Sequence, residues 1–242
     1  MGTWRHPFQA GALAPTPCLA VGAAPLRLDE GDRALIRSLR PETRAAWTVT
    51  LGSAAVSVIA YCELWNVWIA VGLVLGMWAH ELGHRAVMRK LRIDSGPILF
   101  LPFVGAVQRL GEQPRRELDA ALLGLAGPIC SVLFASLCRL GHVLTDDPVL
   151  RFLATAHAVL AVIDLLPFGR LDGQRVIGAL SQRDRIVCTL LSTALALAFQ
   201  SLLLLPICAA LLWTALQPAA PRSQPWAAGG LLGVIALALV VV

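Results

Sequence analysis

The stretch GMWAHELGHRAVM, Gly76 to Met88, decides how this chain is to be read. It continues the apolar run NVWIAVGLV, residues 66–74, and sets two histidines and a glutamate near the end of a segment with the character of a membrane-spanning helix. Ionisable side chains are expensive in lipid and need partners inside the protein. The run and its polar triplet together therefore predict a helical bundle that encloses a polar site.

The rest of the chain agrees with that setting. Of 242 residues, 57% are hydrophobic and 14% charged, and the mean hydropathy is +0.71. A soluble domain carries about a quarter charged residues. Long apolar runs without strict alternation point to helices rather than a barrel, because lipid requires each segment to satisfy its own backbone. Six segments have a length near the ~20 residues a helix needs to cross: about 46–61, 66–88, 120–140, 149–167, 186–212 and 226–242, the fifth overlong with Pro206 inside it. Trp47, Trp65, Trp68, Trp213 and Trp226 fall near their ends, where indole rings favour the interface. The fold class expected is an all-α polytopic membrane protein of about six transmembrane helices.

Arginines set the orientation. They cluster before the first segment (Arg27, Arg33, Arg37, Arg40, Arg44), between the second and third, and between the fourth and fifth, whereas the opposite loops hold Arg139, Arg151 and Arg222 beside Glu63, Asp146 and Asp147. The positive-inside rule makes the N-terminus and the basic loops cytoplasmic. Topology thus accounts for the net charge of +5 without nucleic acid. Residues 1–44, punctuated by Pro and Gly, read as an irregular cytoplasmic segment ahead of a membrane domain at 45–242. The six cysteines form no C-x-x-C pair and read as small packing residues.

His80, Glu81 and His84 form H-E-x-x-H. Residues four apart on a helix share a face, so both imidazoles reach one ion, and Glu81 is placed to take a proton from water activated by that ion. Catalytic zinc has three protein ligands as a rule. Counting from Trp68 at 1.5 Å per residue, His80 lies about 18 Å along its helix; counting from Leu150, Asp164 lies roughly 21 Å along the fourth. Pro167 then breaks the helix and Asp172 follows, a carboxylate at matching depth and the favoured third ligand. His157, about 10 Å into the same helix, and His142, near the opposite end of the third, are competing donors.

H-E-L-G-H at the end of one membrane helix, with DLLPFGRLDG (Asp164–Gly173) after a later one, resembles the site-2 protease family of intramembrane zinc metalloproteases, the M50 type of peptidase. PILFLPFVGAV, residues 97–107, resembles the family's hairpin after the first motif, and PRRELDAALLGLAGP, residues 114–128, the segment leading to its A-G-P. The resemblance covers roughly residues 45–215. It implies one zinc ion held by His80, His84 and Asp172, Glu81 as general base, and hydrolysis of peptide bonds in membrane-anchored proteins, the regulated intramembrane proteolysis by which transcription regulators are released and anti-sigma factors trimmed. A multi-pass location in the cell (inner) membrane follows, with the active-site side cytoplasmic and a short β-hairpin or re-entrant segment between the second and third helices. Asp164, Pro167, Phe103 and Gly105 are the supporting or substrate-binding positions on this reading. The apolar ILFLPF, residues 98–103, is either an unpaired strand edge for an unwound substrate or a packed loop.

Two positions depart from the family pattern. Asp164 stands where its second signature has Asn, and Ser131 where G-P-x-x-N has Asn. An amide donates and accepts, whereas an ionised carboxylate only accepts, so substrate handling is open at this stage. The expected function is a zinc endopeptidase. The alternatives are a catalytically silent relative that binds membrane proteins, or a metal transporter, which would have no use for a general base between two ligands.

Overall fold

The computed structural model describes residues 44–111, 113–169, 171–198, 200–217 and 225–242. The segment expected to be irregular, 1–44, lies outside them save for Arg44. In chain order the elements are α1 (Arg44–Cys62), α2 (Val67–Leu91), β1 (Ser95–Leu101), β2 (Gly105–Leu110), α3 (Glu117–Thr145), α4 (Pro148–Asp164), α5 (Asp172–Gly178), α6 (Gln182–Ala198), a 3-10 turn at Leu202–Leu204, α7 (Leu205–Ala215) and α8 (Pro225–Val241). The described residues are thus mostly helical, with one two-stranded sheet.

Local signals set the boundaries. Asn66 caps α2, its side-chain oxygen accepting from the Ile69 amide at 2.9 Å, and the helix ends at Arg92 in the left-handed conformation (φ 58°). Asp147 caps α4 by accepting from Val149 at 2.8 Å, with Pro148 next, where a missing N–H costs nothing. The segment expected as one overlong span at 186–212 is instead two helices, α6 and α7. Pro206 occupies the first turn of α7, the place in a helix that tolerates proline. The backbone turns just before it, at Gln200 with φ 48°.

Among the described residues, α1 and α3 are long and apolar enough to cross a membrane. Helix α2 has the length, 25 residues, and loses apolar character where its histidines and glutamate sit. Helices α4, α6 and α8 have 17 residues each and α7 has 11. Outward-facing side chains are apolar: Val56, Ile59, Leu133, Leu137 and Leu140 are all exposed, as are Trp47, Trp68 and Trp213 near helix ends. In water such continuous apolar surface marks an interaction face or a liability.

Helix α3 is the hub, packing on α2, α4, α5 and α8. The hairpin expected between the second and third helices is present, as antiparallel strands paired from Leu101↔Gly105 to Ser95↔Leu110, with an irregularity between Ser95 and Ile98, where Pro97 has no N–H to give. Ile98 and Phe100 are buried while Leu99 is exposed, the alternation of a half-buried strand. The β1 side is taken by α1: the Phe100 amide donates to Ser53 Oγ (3.1 Å) and the Phe103 amide to Tyr61 Oη (3.2 Å), with the Phe103 ring edge-on to Tyr61 at 5.2 Å. Of the two readings open for ILFLPF, a free strand edge or a packed loop, the structure shows a strand paired with β2 and packed on α1. Its backbone faces α1, and β2 is the outer strand.

The Tyr61 hydroxyl should therefore hold the hairpin tip. In Tyr61→Phe the loss of one hydrogen bond, about 1 kcal/mol, should speed amide exchange in a peptide spanning 98–105 about fivefold and leave α3 peptides unchanged, read by hydrogen–deuterium exchange mass spectrometry.

Candidate metal centre

His80 and His84 project from one face of α2, and Asp172 is the first residue of α5. Three atoms converge: His84 Nε2 stands 3.0 Å from His80 Nε2, and Asp172 Oδ2 is 3.2 Å from His80 Nε2 and 2.9 Å from His84 Nε2. Glu81, His84 and Asp172 are buried.

Hydrogen bonds fix which atoms face inward. A backbone carbonyl only accepts, so the contact of His84 Nδ1 with Leu123 O (2.8 Å) puts the ring proton on Nδ1 and leaves Nε2 a bare acceptor. His80 Nδ1 lies 2.9 Å from Ser131 Oγ and 3.5 Å from Asp164 Oδ2. Asp172 Oδ1 accepts from Arg175 Nη1 at 3.0 Å, and Oδ2 is the oxygen that faces the histidines. Two imidazole lone pairs and a carboxylate oxygen aimed at one point repel one another, and a cation resolves the repulsion. Two ligands about 2.0–2.1 Å from a tetrahedral ion stand about 3.3 Å apart, close to the edges of this triangle. The donor set fits zinc.

Two glycines make the convergence possible. A methyl group at Gly127 of α3 would overlap both Nε2 atoms, so its absence leaves room for the triangle. A methyl at Gly173 would collide with the Leu165 carbonyl, so the glycine of L-D-G lets the start of α5 tuck beneath the end of α4 and carry Asp172 to the histidines.

The triangle opens on a cavity of about 450 Å³, on whose walls lie Glu81, Asp164, Arg175 and, from β2, Gly105, Ala106 and Val107. Of the residues singled out from sequence, His80, Glu81, His84, Asp172, Asp164 and Gly105 meet here. Phe103 and Pro167 do not line the cavity: Phe103 sits at the hairpin turn with φ 62°, and Pro167 lies in the link from α4 to α5. His157 lines the cavity without joining the triangle; it is buried, and its Nε2 has no partner among the described residues. His142 is spent on Asp147 O at 3.0 Å. Arg175 escaped the sequence reading, although an arginine three residues beyond an aspartate on a helix is a recognisable pairing signal. Arg85 escaped it too: it donates to Gly96 O at 3.1 Å, as Gln108 does at 2.9 Å, and so ties the hairpin's base to α2.

Comparison with curated proteins finds 32% identity over 118 residues with proteins named "Putative zinc metalloprotease Rip3" from two strains of Mycobacterium tuberculosis. The alignment takes in 46% of this chain and 30% of the length of those relatives. No protein-family model matches the chain, and no solved structure matches it significantly. The chain is thus similar, over less than half its length, to proteins named as zinc metalloproteases.

Gly127→Ala should abolish metal binding, because the added methyl occupies the space the histidine nitrogens enclose. Zinc content of the purified variant, measured by inductively coupled plasma mass spectrometry, should fall from near one ion per chain to near none.

Proposed function

We propose that this chain is an intramembrane zinc metalloprotease of the site-2 protease kind, hydrolysing peptide bonds of membrane-anchored proteins. The observation that carries the reading is the meeting of His80 Nε2, His84 Nε2 and Asp172 Oδ2 beside buried Glu81 in a cavity among apolar helices. The similarity to a named zinc metalloprotease supports the protease reading. The apolar outer faces, and the tryptophans near helix ends, support a multi-pass membrane location. We take the ends of α2 and α4 that carry the site as cytoplasmic, because Arg89, Lys90 and Arg92 cluster there.

In this reading residues 45–242 form one catalytic domain. His80, His84 and Asp172 hold the ion, and Arg175 steadies the Asp172 carboxylate through its other oxygen. Zinc held there supplies a Lewis acid that acidifies water and polarises a carbonyl. Glu81 serves as general base, taking the proton from the attacking water and handing it to the departing amine. A substrate helix has its carbonyls bonded internally and must unwind before attack. β2, the outer strand on the cavity wall, offers backbone groups to the unwound segment, and the bare backbone of Gly105 permits close approach. On this reading the strand edge offered to substrate is Gly105–Leu110 and not ILFLPF.

A transport pathway would string its donors along several helices. Here the three ligand atoms lie within 4.8 Å of one another, and a glutamate stands between the two histidines.

The test is cleavage of single-span reporter proteins by the purified chain, with zinc content measured in parallel. Glu81→Gln should keep its zinc and lose cleavage by at least about a hundredfold, the usual contribution of a general base. A chelator should abolish cleavage reversibly. A Glu81→Gln variant that cuts at the wild-type rate would sink the proposal.

A further inference from the structure

Ser131 and Asp164 come from different helices to a single atom. Ser131 Oγ, on α3, lies 2.9 Å from His80 Nδ1, and Asp164 Oδ2, at the end of α4, lies 3.5 Å from the same nitrogen. Ser131 is fully enclosed, at 2% exposure. On the far side of the ring, His80 Nε2 points to Asp172 Oδ2 and His84 Nε2.

A neutral imidazole has one proton to place. With Nε2 committed to the ligand triangle, the proton sits on Nδ1, where Ser131 Oγ accepts it at 2.9 Å and Asp164 Oδ2 lies 3.5 Å away. His84 is served by a different device: its Nδ1 donates to the main-chain oxygen of Leu123. A carbonyl of that kind is present whatever residue occupies the position. The partners of His80 are side chains and depend on sequence, and they reach one ring nitrogen from two different helices.

We propose that Ser131 and Asp164 are positioning residues for His80. Ser131 accepts the direct hydrogen bond from Nδ1–H, and the Asp164 carboxylate draws the same proton from further off. Together they hold the tautomer and the ring rotation that keep Nε2 on the metal. The inference rests on the metal-centre reading and deepens it: a hydroxyl and a carboxylate do here the work of orienting a ligand, and the Asp164 side chain is committed to the metal site rather than to substrate. Partners behind a ligating histidine fix its orientation and raise its basicity, and their loss costs about ten- to a hundredfold in metal affinity.

The test uses the full chain in detergent, as wild type, Ser131→Ala, Asp164→Ala and Asp164→Asn. Zinc affinity is measured by competition with a chromophoric chelator, the cobalt(II)-loaded protein by its visible absorption bands, and the metal-free protein by its melting temperature. Ser131→Ala and Asp164→Ala should each weaken zinc binding by about ten- to a hundredfold and shift the cobalt bands. Asp164→Asn, whose amide oxygen still accepts, should recover most of the loss, with metal-free melting temperatures alike throughout. Unchanged affinities and spectra in both alanine variants would overturn the inference, as would Asp164→Asn being as weak as Asp164→Ala with a lowered metal-free melting temperature. Loss of reporter cleavage in Asp164→Ala at unchanged zinc affinity would also overturn it and assign the carboxylate to substrate. Wild type that binds no zinc would instead overturn the metal-centre reading itself.

Discussion

The absence of a side chain at Gly127 is the constraint on which the rest of this structure turns. Three electron-rich atoms sit about 3 Å apart against α3, and a single methyl on that helix would fill the space they enclose. Everything nearby serves the same closeness. Ser131, one turn further along α3, meets one histidine, and Leu123, one turn earlier, meets the other. The helix that forms the hub of the bundle is therefore also the wall of the candidate site, and its packing and its chemistry cannot be altered separately.

A second dependence runs through the link from α4 to α5. Helix α4 ends at Asp164, the chain turns through Leu165–Leu171, and α5 begins with the third ligand. Gly173 lies so close to the Leu165 carbonyl that no other residue fits without displacing Asp172. Arg175, one turn into α5, engages the oxygen of Asp172 that the histidines do not use. Both ends of this short link carry a carboxylate to His80, one to each ring nitrogen.

Much of this was legible in the sequence because it is local. The four-residue spacing of His80 and His84 specifies a shared helical face, Pro167 and Gly173 mark a break, and simple rise per residue sets Asp172 at the depth of the histidines. The misreadings lie where distant segments decide. Nothing within ILFLPF reveals that Ser53 and Tyr61, some forty residues earlier, receive amides of the hairpin, so the choice between a strand edge and a packed loop stayed open. Pro206 was read as lying inside one long span, whereas a proline sits more comfortably in the first turn of a second helix. Phe103 and Pro167 shape turns and stay out of the cavity. Ser131 and Asp164 stood out as departures from a pattern, but their common target could emerge only when α3 and α4 were docked on α2.

The engagement of Asp172 Oδ1 by Arg175 bears on ionic discrimination. With Oδ1 turned to the guanidinium, the triangle consists of two imidazole nitrogens and one carboxylate oxygen. Calcium seeks six to eight oxygens and magnesium an octahedron of them. A small, nitrogen-rich triangle suits neither, and borderline ions that accept imidazole are favoured over both. By donor chemistry alone, the abundant hard cations of a cell would be poor competitors for this triangle.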